Sequence, residues 1–266
     1  MKSNAVVILC SGKGTRLGSL TENLNKSLVP IGNKSTIGYI LEKIPKGTDI
    51  YLTLGFQGEQ VRNFCELTYA DQYRFHYIPV LNFEGPGSGP GTSLQCCEQV
   101  LGNRPFYIVC CDCVVLEDFY TKEDSENWIG VQKTDKPQLY STADVLDGIV
   151  VGFKNKCEKG YSNAFIGLAH IATPEIFWKE LRQRKVNGEF VEAFKGYEKL
   201  SLKAKNFTWN DTGNLQSFEK VKKTLETKKT LGEKLYVEAG KVLKFFPEKE
   251  KAFVLEKSSR RFLQLG

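Results

Sequence analysis

Apolar residues along this chain fall into short unbroken runs, separated by stretches where they recur every three or four positions. Ala5-Val6-Val7-Ile8-Leu9-Cys10 is apolar throughout and ends in Ser11-Gly12-Lys13-Gly14, the pattern of a parallel strand buried on both faces that enters a glycine turn. Runs at Asp49 to Leu54, Phe75 to Val80 and Phe106 to Cys111 predict further strands. Between them, Ile37, Ile40, Leu41 and Ile44, then Val61, Phe64 and Cys65, then Leu94, Cys97 and Leu101 keep helical spacing. Strand and helix alternate to about residue 115, which predicts an α/β fold with a doubly wound, mostly parallel, Rossmann-like sheet.

The alternation then loosens. Trp128 to Gln132, Val145 to Phe153, Ala164 to Ile171 and Ala204 to Trp209 predict strands, a helix begins near Pro174, and Leu215, Phe218, Val221 and Leu225 share a helix face. This half reads as α+β. From about Thr230, two β-rich runs flank Ala239-Gly240 and predict a hairpin, and a basic helix is expected over Glu248 to Leu265. The expected division is a main domain over residues 1–229 and a C-terminal appendage over 230–266. An appendage of ~35 residues is too small to fold alone, so it packs on the main domain or on a partner, or is a remnant of something longer; as a dimer arm it would make a homo-oligomer.

Composition narrows the function classes. With 41% hydrophobic and 26% charged residues, the 266-residue chain is that of a globular protein, and no window approaches the ~18 apolar residues of a membrane span. Thirty-seven Lys and Arg against 31 Asp and Glu leave +6, an excess that favours small anions such as nucleotides and sugar phosphates over nucleic acid. Lys220, Lys222, Lys223, Lys228, Lys229 and Lys234 read first as a solvated helix face. Eight scattered cysteines and no signal peptide ahead of the first strand predict a cytoplasmic protein with reduced thiols. Cys110-Cys111-Asp112-Cys113 lacks a second ligand pair at zinc spacing, so these cysteines read as small buried apolar residues. His76 and His170, in apolar strands, read as structural.

Candidate chemistry starts at Gly12-Lys13-Gly14-Thr15-Arg16-Leu17. Glycines there admit an anion close to the backbone, successive amides leading toward a helix N-terminus form a nest for phosphate oxygens, and Arg16 and Lys26 neutralise charge on a reacting phosphorus. A dinucleotide fold would need an acidic residue about 20 residues on, closing a second strand, and a Walker loop would need Gly-Lys-Ser/Thr after four variable residues. Neither is present.

These residues, followed by Leu20-Thr21, Lys26, Leu28 and Pro30-Ile31, resemble the signature of the nucleotidyltransferases that make nucleotide sugars and related activated phosphates. Three positions differ: the family's Ala-Gly-Gly is Cys10-Ser11-Gly12 here, and its proline before the lysine is Asn25. The resemblance spans about residues 4 to 225. It extends to Leu54-Gly55-Phe56-Gln57-Gly58-Glu59-Gln60-Val61 and to Gly89-Pro90-Gly91-Thr92-Ser93-Leu94, similar to the Gly-Thr turn that contacts the nucleoside, with Glu84 to Gly91 as the candidate base-binding loop. It implies nucleotide contacts from Cys10, Ser11, Gly12, Lys13, Gly14, Thr15, Gly91 and Thr92, and catalytic roles for Arg16 and Lys26. It implies Mg²⁺ on Asp112, at a strand's carboxyl end, and on Asp211 in Trp209-Asn210-Asp211-Thr212-Gly213.

Ala164-Phe165-Ile166-Gly167-Leu168-Ala169 resembles the strand beneath the acceptor, so Gly167 is an expected acceptor contact. Lys154, or alternatively Lys156, Glu158 or Lys159, would meet the acceptor phosphate. The implied reaction moves a nucleoside monophosphate from a nucleoside triphosphate to a phosphorylated small-molecule acceptor, a sugar 1-phosphate first and a phospho-alcohol or phospho-amine such as phosphocholine, with CTP, second. A catalytically silent nucleotide-binding module is the alternative of a different class. Gly240 to Phe246 also looks faintly like the opening hairpin of small-molecule kinases, without any kinase active site downstream.

Overall fold

The computed structural model describes residues 4–32, 34–183, 188–197, 200–226, 234–238 and 241–245. Strand β1 (Ala5–Leu9) is buried along its whole length. Ala5, Val7 and Leu9 feed one apolar core and Val6 and Ile8 the other, which is why its sequence shows no polar alternation. After a two-stranded ribbon of β2 (Pro30–Ile31) and β3 (Lys34–Ser35), helix α1 (Thr36–Leu41) starts at Ser35, whose hydroxyl accepts the Gly38 amide at 3.2 Å. Strand β4 (Asp49–Leu54) lies parallel to β1, and after α2 (Gly58–Tyr69) strand β5 (Arg74–Pro79) lies parallel to β4. The chain then crosses through α3 (Pro90–Gln95) and α4 (Glu98–Leu101) to β6 (Phe106–Cys110), parallel to β1 on its other side. The order β5-β4-β1-β6 therefore reverses at β1 and β6, and a crevice opens at their carboxyl ends.

Past β6 the architecture changes. Short β7 (Cys113–Val115) leaves the large sheet, followed by β8 (Trp128–Lys133), β9 (Ser141–Leu146), β10 (Ile149–Asn155), β11 (Asn163–Ile171), α5 (Pro174–Gln183), β12 (Lys203–Asn206), β13 (Trp209–Asp211) and α6 (Leu215–Glu226). The large sheet runs β5-β4-β1-β6-β11-β8-β12-β10-β9, and β11 is antiparallel to β6 and to β8. The sheet is thus mixed, not mostly parallel as the sequence predicts: helical crossovers stop at β6, and hairpins take over. β9 also pairs back onto β11 at Thr142 and Ala143, so the last five strands close into a ring.

Three predicted elements divide. Val145 to Phe153 is not one strand but the β9–β10 hairpin, turning at Asp147 and Gly148 with φ of 50° and 78°, the left-handed pair of a two-residue turn. Ala204 to Trp209 splits into β12 in the large sheet and β13 paired with β7. The helix through Leu94, Cys97 and Leu101 breaks between α3 and α4. At the C-terminus, β14 (Lys234–Glu238) and β15 (Lys241–Phe245) pair antiparallel as expected. The intervening Ala239-Gly240 and the helix expected over Glu248 to Leu265 lie outside the described residues. Among those described, no helix is long and apolar enough to cross a membrane. Cys10, Cys65, Cys97, Cys111 and Cys113 are buried and free, whereas Cys96 is exposed. Lys220 and Lys223 are exposed on α6.

Candidate active site

A cleft of about 270 Å³ opens at the carboxyl ends of β1 and β6, lined by Ser11, Gly12, Arg16, Lys26, Asp112, Gly167 and Asp211 among others. The turn after β1 passes through Gly14 at φ 68°, and a Cβ there would lie 2.8 Å from the Lys26 Cβ, so glycine supplies both the left-handed turn and the room for the lysine. Thr21 fastens this turn by donating to the Gly14 carbonyl at 2.9 Å. Beyond the turn the chain forms a 3₁₀ segment (Thr15–Thr21), broken at Gly18, in place of the α-helix that the sequence suggests. What this turn presents to the cleft is therefore open backbone and cations and not the N-terminus of an α-helix. Among the described residues, and apart from its neighbours in the chain, no atom lies within 4 Å of the point where a Cβ on Gly12 would sit.

Lys26 reaches Asp112 with Nζ 2.7 Å from Oδ2. Burial opposes both charges, but mutual attraction wins: the Asp112 carboxyl sits below its ordinary value, helped by the Lys26 hydrogen bond and by Arg16, and the Lys26 ammonium sits above its own. Asn25, fully buried, sets this lysine. Its side-chain amide donates to the Cys10 carbonyl at 2.8 Å and the Phe56 carbonyl at 2.6 Å, while its Oδ1 accepts from the amide and hydroxyl of Ser27. Gln60 accepts the Asn25 N–H and donates to the Asn23 carbonyl. The departure from the family's proline is thus a buried clamp joining the ends of β1 and β4 to the turn bearing Lys26.

Asp211 arrives on β13, whose pairing with β7 sets it opposite Cys113, next to Asp112. The Thr212 amide and hydroxyl both donate to the Asp112 carbonyl, at 3.3 and 3.2 Å. Gly213 then passes between the carboxylates: a Cβ on it would lie 2.8 Å from Asp112 Oδ2, 3.0 Å from Asp211 Oδ1 and 3.6 Å from an Arg16 nitrogen. The Asp211 carboxylate accepts from the Gly213 amide (2.8 Å), the Tyr140 hydroxyl (3.0 Å) and the Asn214 amide (3.2 Å). Burial and the adjacent Asp211 charge push the Tyr140 phenol up to about 12, so it stays a donor. Two hard carboxylates facing one point fit a small divalent cation that completes its shell with water and phosphate oxygens. Among the described residues, no group of three or more His, Cys, Asp and Glu could hold a metal without such help.

Several expected contacts lie elsewhere. Cys10 is fully buried, its carbonyl taken by Asn25 and its amide by Thr53, which leaves nothing for a nucleotide. Lys13 pairs with Glu84, and neither Lys13 nor Thr15 lines the cleft. The Gly91 amide donates to the Gly188 carbonyl at 2.5 Å, tying the loop to a distant segment, and the Thr92 hydroxyl donates to the Gly87 carbonyl at 2.6 Å within the loop; from that segment, Gly89, Pro90 and Ser93 face the cleft instead. Lys154 turns away to the Lys159 carbonyl at 2.7 Å, and Lys156 takes the cleft position, 2.8 Å from Glu189. Gly167 packs against the Cys110 side chain in the cleft wall. His170 is buried among Tyr107 and Trp128, its Nδ1 2.7 Å from the Glu126 carbonyl, away from the cleft.

Sequence reading misses Ser93, Tyr140, Phe165, Phe190 and Glu189. The Ser93 hydroxyl meets that of Ser11 at 2.6 Å, tying two loops of the cleft together. The Gly-Thr turn that points to Thr92 carries Ser93 as the next residue. Tyr140 and Glu189 leave no local signal, since their partners lie far along the chain.

Known proteins resemble the chain in sequence and in fold. Residues 6–123 match the MobA-like NTP transferase domain. The bifunctional protein GlmU of Methanococcus maripaludis is 25% identical over 235 residues, covering 86% of this chain and 49% of that protein. The chain therefore spans about half the length of the curated relatives it matches. Among solved folds, a UDP-glucose pyrophosphorylase complexed with UDP-glucose superposes with a TM-score of 0.71 at 16% identity, over 86% of this chain and all of that one (100%). The CTP:phosphocholine cytidylyltransferase of Streptococcus pneumoniae superposes at 0.66 with 20% identity, over 84% and 99%. The anion turn and the Lys26–Asp112 pair both lie within residues 6–123, the stretch that matches the MobA-like NTP transferase domain, and the chain is similar to nucleotidyltransferases in sequence and in fold.

Proposed function

We propose that the protein transfers a nucleoside monophosphate from a nucleoside triphosphate to a phosphorylated small molecule, a sugar 1-phosphate first, and releases pyrophosphate. The observation that carries this reading is the meeting of Arg16, Lys26, Asp112 and Asp211 at one point of the crevice. An oxygen of the acceptor phosphate bonds to the α-phosphorus while the bond to the bridging oxygen breaks, and that electron pair departs with pyrophosphate. The acceptor is already anionic near neutral pH, so no general base is required. Ser11 and Gly12 offer the backbone against which phosphate oxygens lie, and Arg16 and Lys26 offset the charge that grows on the α-phosphate and leaving group. Asp112 and Asp211 are the residues that would hold Mg²⁺, which when bound polarises the α-phosphate. Lys156, at the far side, meets the acceptor phosphate by exchanging its pairing with Glu189.

A second acceptor class has an observation of its own. Leu139, Phe165 and Phe190 put apolar surface on the acceptor side beside Tyr140, Ser141, Lys156 and Glu189, and that apolar surface favours a phospho-alcohol or phospho-amine. The discriminating experiment measures pyrophosphate release with Mg²⁺, testing the four common ribonucleoside triphosphates and dTTP against sugar 1-phosphates and phospho-alcohols including phosphocholine. Release that requires one nucleotide and one acceptor is the expected result and names both. Tight nucleotide binding without release across the panel would replace this reading with a silent binding module.

A further inference from the structure

We infer that Tyr140 is a positioning residue that fixes the Asp211 carboxylate and ties it to the acceptor side of the cleft; the inference rests on the nucleotidyl-transfer reading above. Asp211 ends a strand of three residues. Two of its hydrogen-bond donors, Gly213 and Asn214, belong to the turn immediately after it, so they shape that turn but move with it. Tyr140 alone among the donors described reaches Asp211 from elsewhere, 71 residues away in sequence, with its hydroxyl 3.0 Å from Oδ2. Its ring stands edge-on to Trp209 with centroids 5.2 Å apart, which holds the phenol on the same short strand.

The other end of Tyr140 faces the acceptor. Its carbonyl accepts the Lys156 amide at 3.0 Å, at the end of β10 where Lys156 takes up a φ of 41°. The next residue, Ser141, donates to Asn155 at 2.8 Å, so the segment is held on both sides. One residue therefore joins the cation at the acceptor side to the second carboxylate at the nucleotide side. The Tyr140 hydroxyl occupies one lone pair of Oδ2 and fixes the carboxylate plane, as an outer hydrogen bond does for a metal ligand.

Tyr140→Phe tests this by removing one hydroxyl and keeping the ring on Trp209. Mn²⁺ binding to the full chain, followed by the loss of the free-ion electron paramagnetic resonance signal, is expected to weaken about tenfold. The Mg²⁺ concentration for half-maximal pyrophosphate release should rise in parallel, with the melting temperature unchanged. Values within twofold of wild type in both measurements would overturn the inference. So would weakening in Tyr140→Ala without weakening in Tyr140→Phe, which would assign the effect to ring packing. If the wild-type chain bound Mn²⁺ no better than Asp211→Asn and released no pyrophosphate, the nucleotidyl-transfer reading would fall, and this inference with it.

Discussion

Asn25 makes through its side chain what a proline at the same place has no atoms to make. Removing it leaves the Cys10 and Phe56 carbonyls and the Ser27 amide without their buried partners. At about 1–3 kcal/mol for each unsatisfied group, offset by local relaxation, Asn25→Ala should cost about 3 kcal/mol in urea unfolding. A loss under about 1 kcal/mol would mean that water takes over the clamp. Asp112 behaves differently, because its partner is a charge. Its folded carboxyl titrates below the unfolded value of ~3.9, so its contribution to stability is present above about pH 4 and disappears as pH falls through the folded value. Asp112→Asn should accordingly lower turnover by about 10² or more with the fold intact, since the charge facing the reacting phosphate changes. The difference in melting temperature between wild type and this variant should be flat from pH 5 to 7 and shrink below pH 4. Turnover within threefold of wild type would remove Asp112 from the reaction. Arg16, Lys26, Asp112 and Asp211 are readable because ordered motif positions carry them. Lys154 reads in place of Lys156 because strand alternation does not survive the left-handed turn at Lys156, and Cys10 reads as a contact because only the fold reveals that Asn25 and Thr53 already occupy its backbone groups.

Elements that bury both faces announce themselves, whereas breaks inside a continuing apolar run do not. β1, β4 and β6 are continuous apolar runs, and their predicted limits fall within one residue of those observed. The β9–β10 hairpin is hidden because apolar residues continue through it, although Asp147-Gly148 is the dipeptide that a left-handed two-residue turn demands. The β12–β13 break is hidden for another reason: Phe207 stacks on Trp128 and Thr208 bonds to Glu117, so the apolar pattern persists while the chain changes sheets. The turn from β13 into α6 has little room to spare. Gly213→Ala would drive a methyl group between the two carboxylates, and turnover should fall at least tenfold while the melting temperature changes by only a few degrees. Unchanged turnover would show that Asp112 and Asp211 can separate without consequence.

The whole molecule divides its labour between two building styles. The parallel half, residues 6–123 of which match the family profile, supplies the anion turn, Lys26 and Asp112. The ring half, outside that match, supplies Tyr140, Lys156 and Gly167, with Asp211 following on β13, so the site exists only where both are complete. Alternating strands and helices make the first half legible. The second is held by antiparallel and parallel contacts between distant segments, such as β11 with β8 and β12 with β8, which leave no periodic trace. Among the described residues none that lines the cleft lies beyond 229, so a chain ending there should melt cooperatively and retain pyrophosphate release. Loss of folding on truncation would make the C-terminal segment part of the main domain.

The return of β9 onto β11 has a consequence for how the molecule meets its neighbours. A sheet of nine strands ordinarily offers two unpaired rims to other chains, but here one rim is folded inward and β5 is left as the outer strand. That strand carries exposed Arg74, half-exposed His76 and a closing Pro79, which contributes no amide hydrogen. Strand-to-strand stacking in a crowded solution is thereby discouraged at the open rim by charge and a missing donor, and at the acceptor-side rim by closure itself.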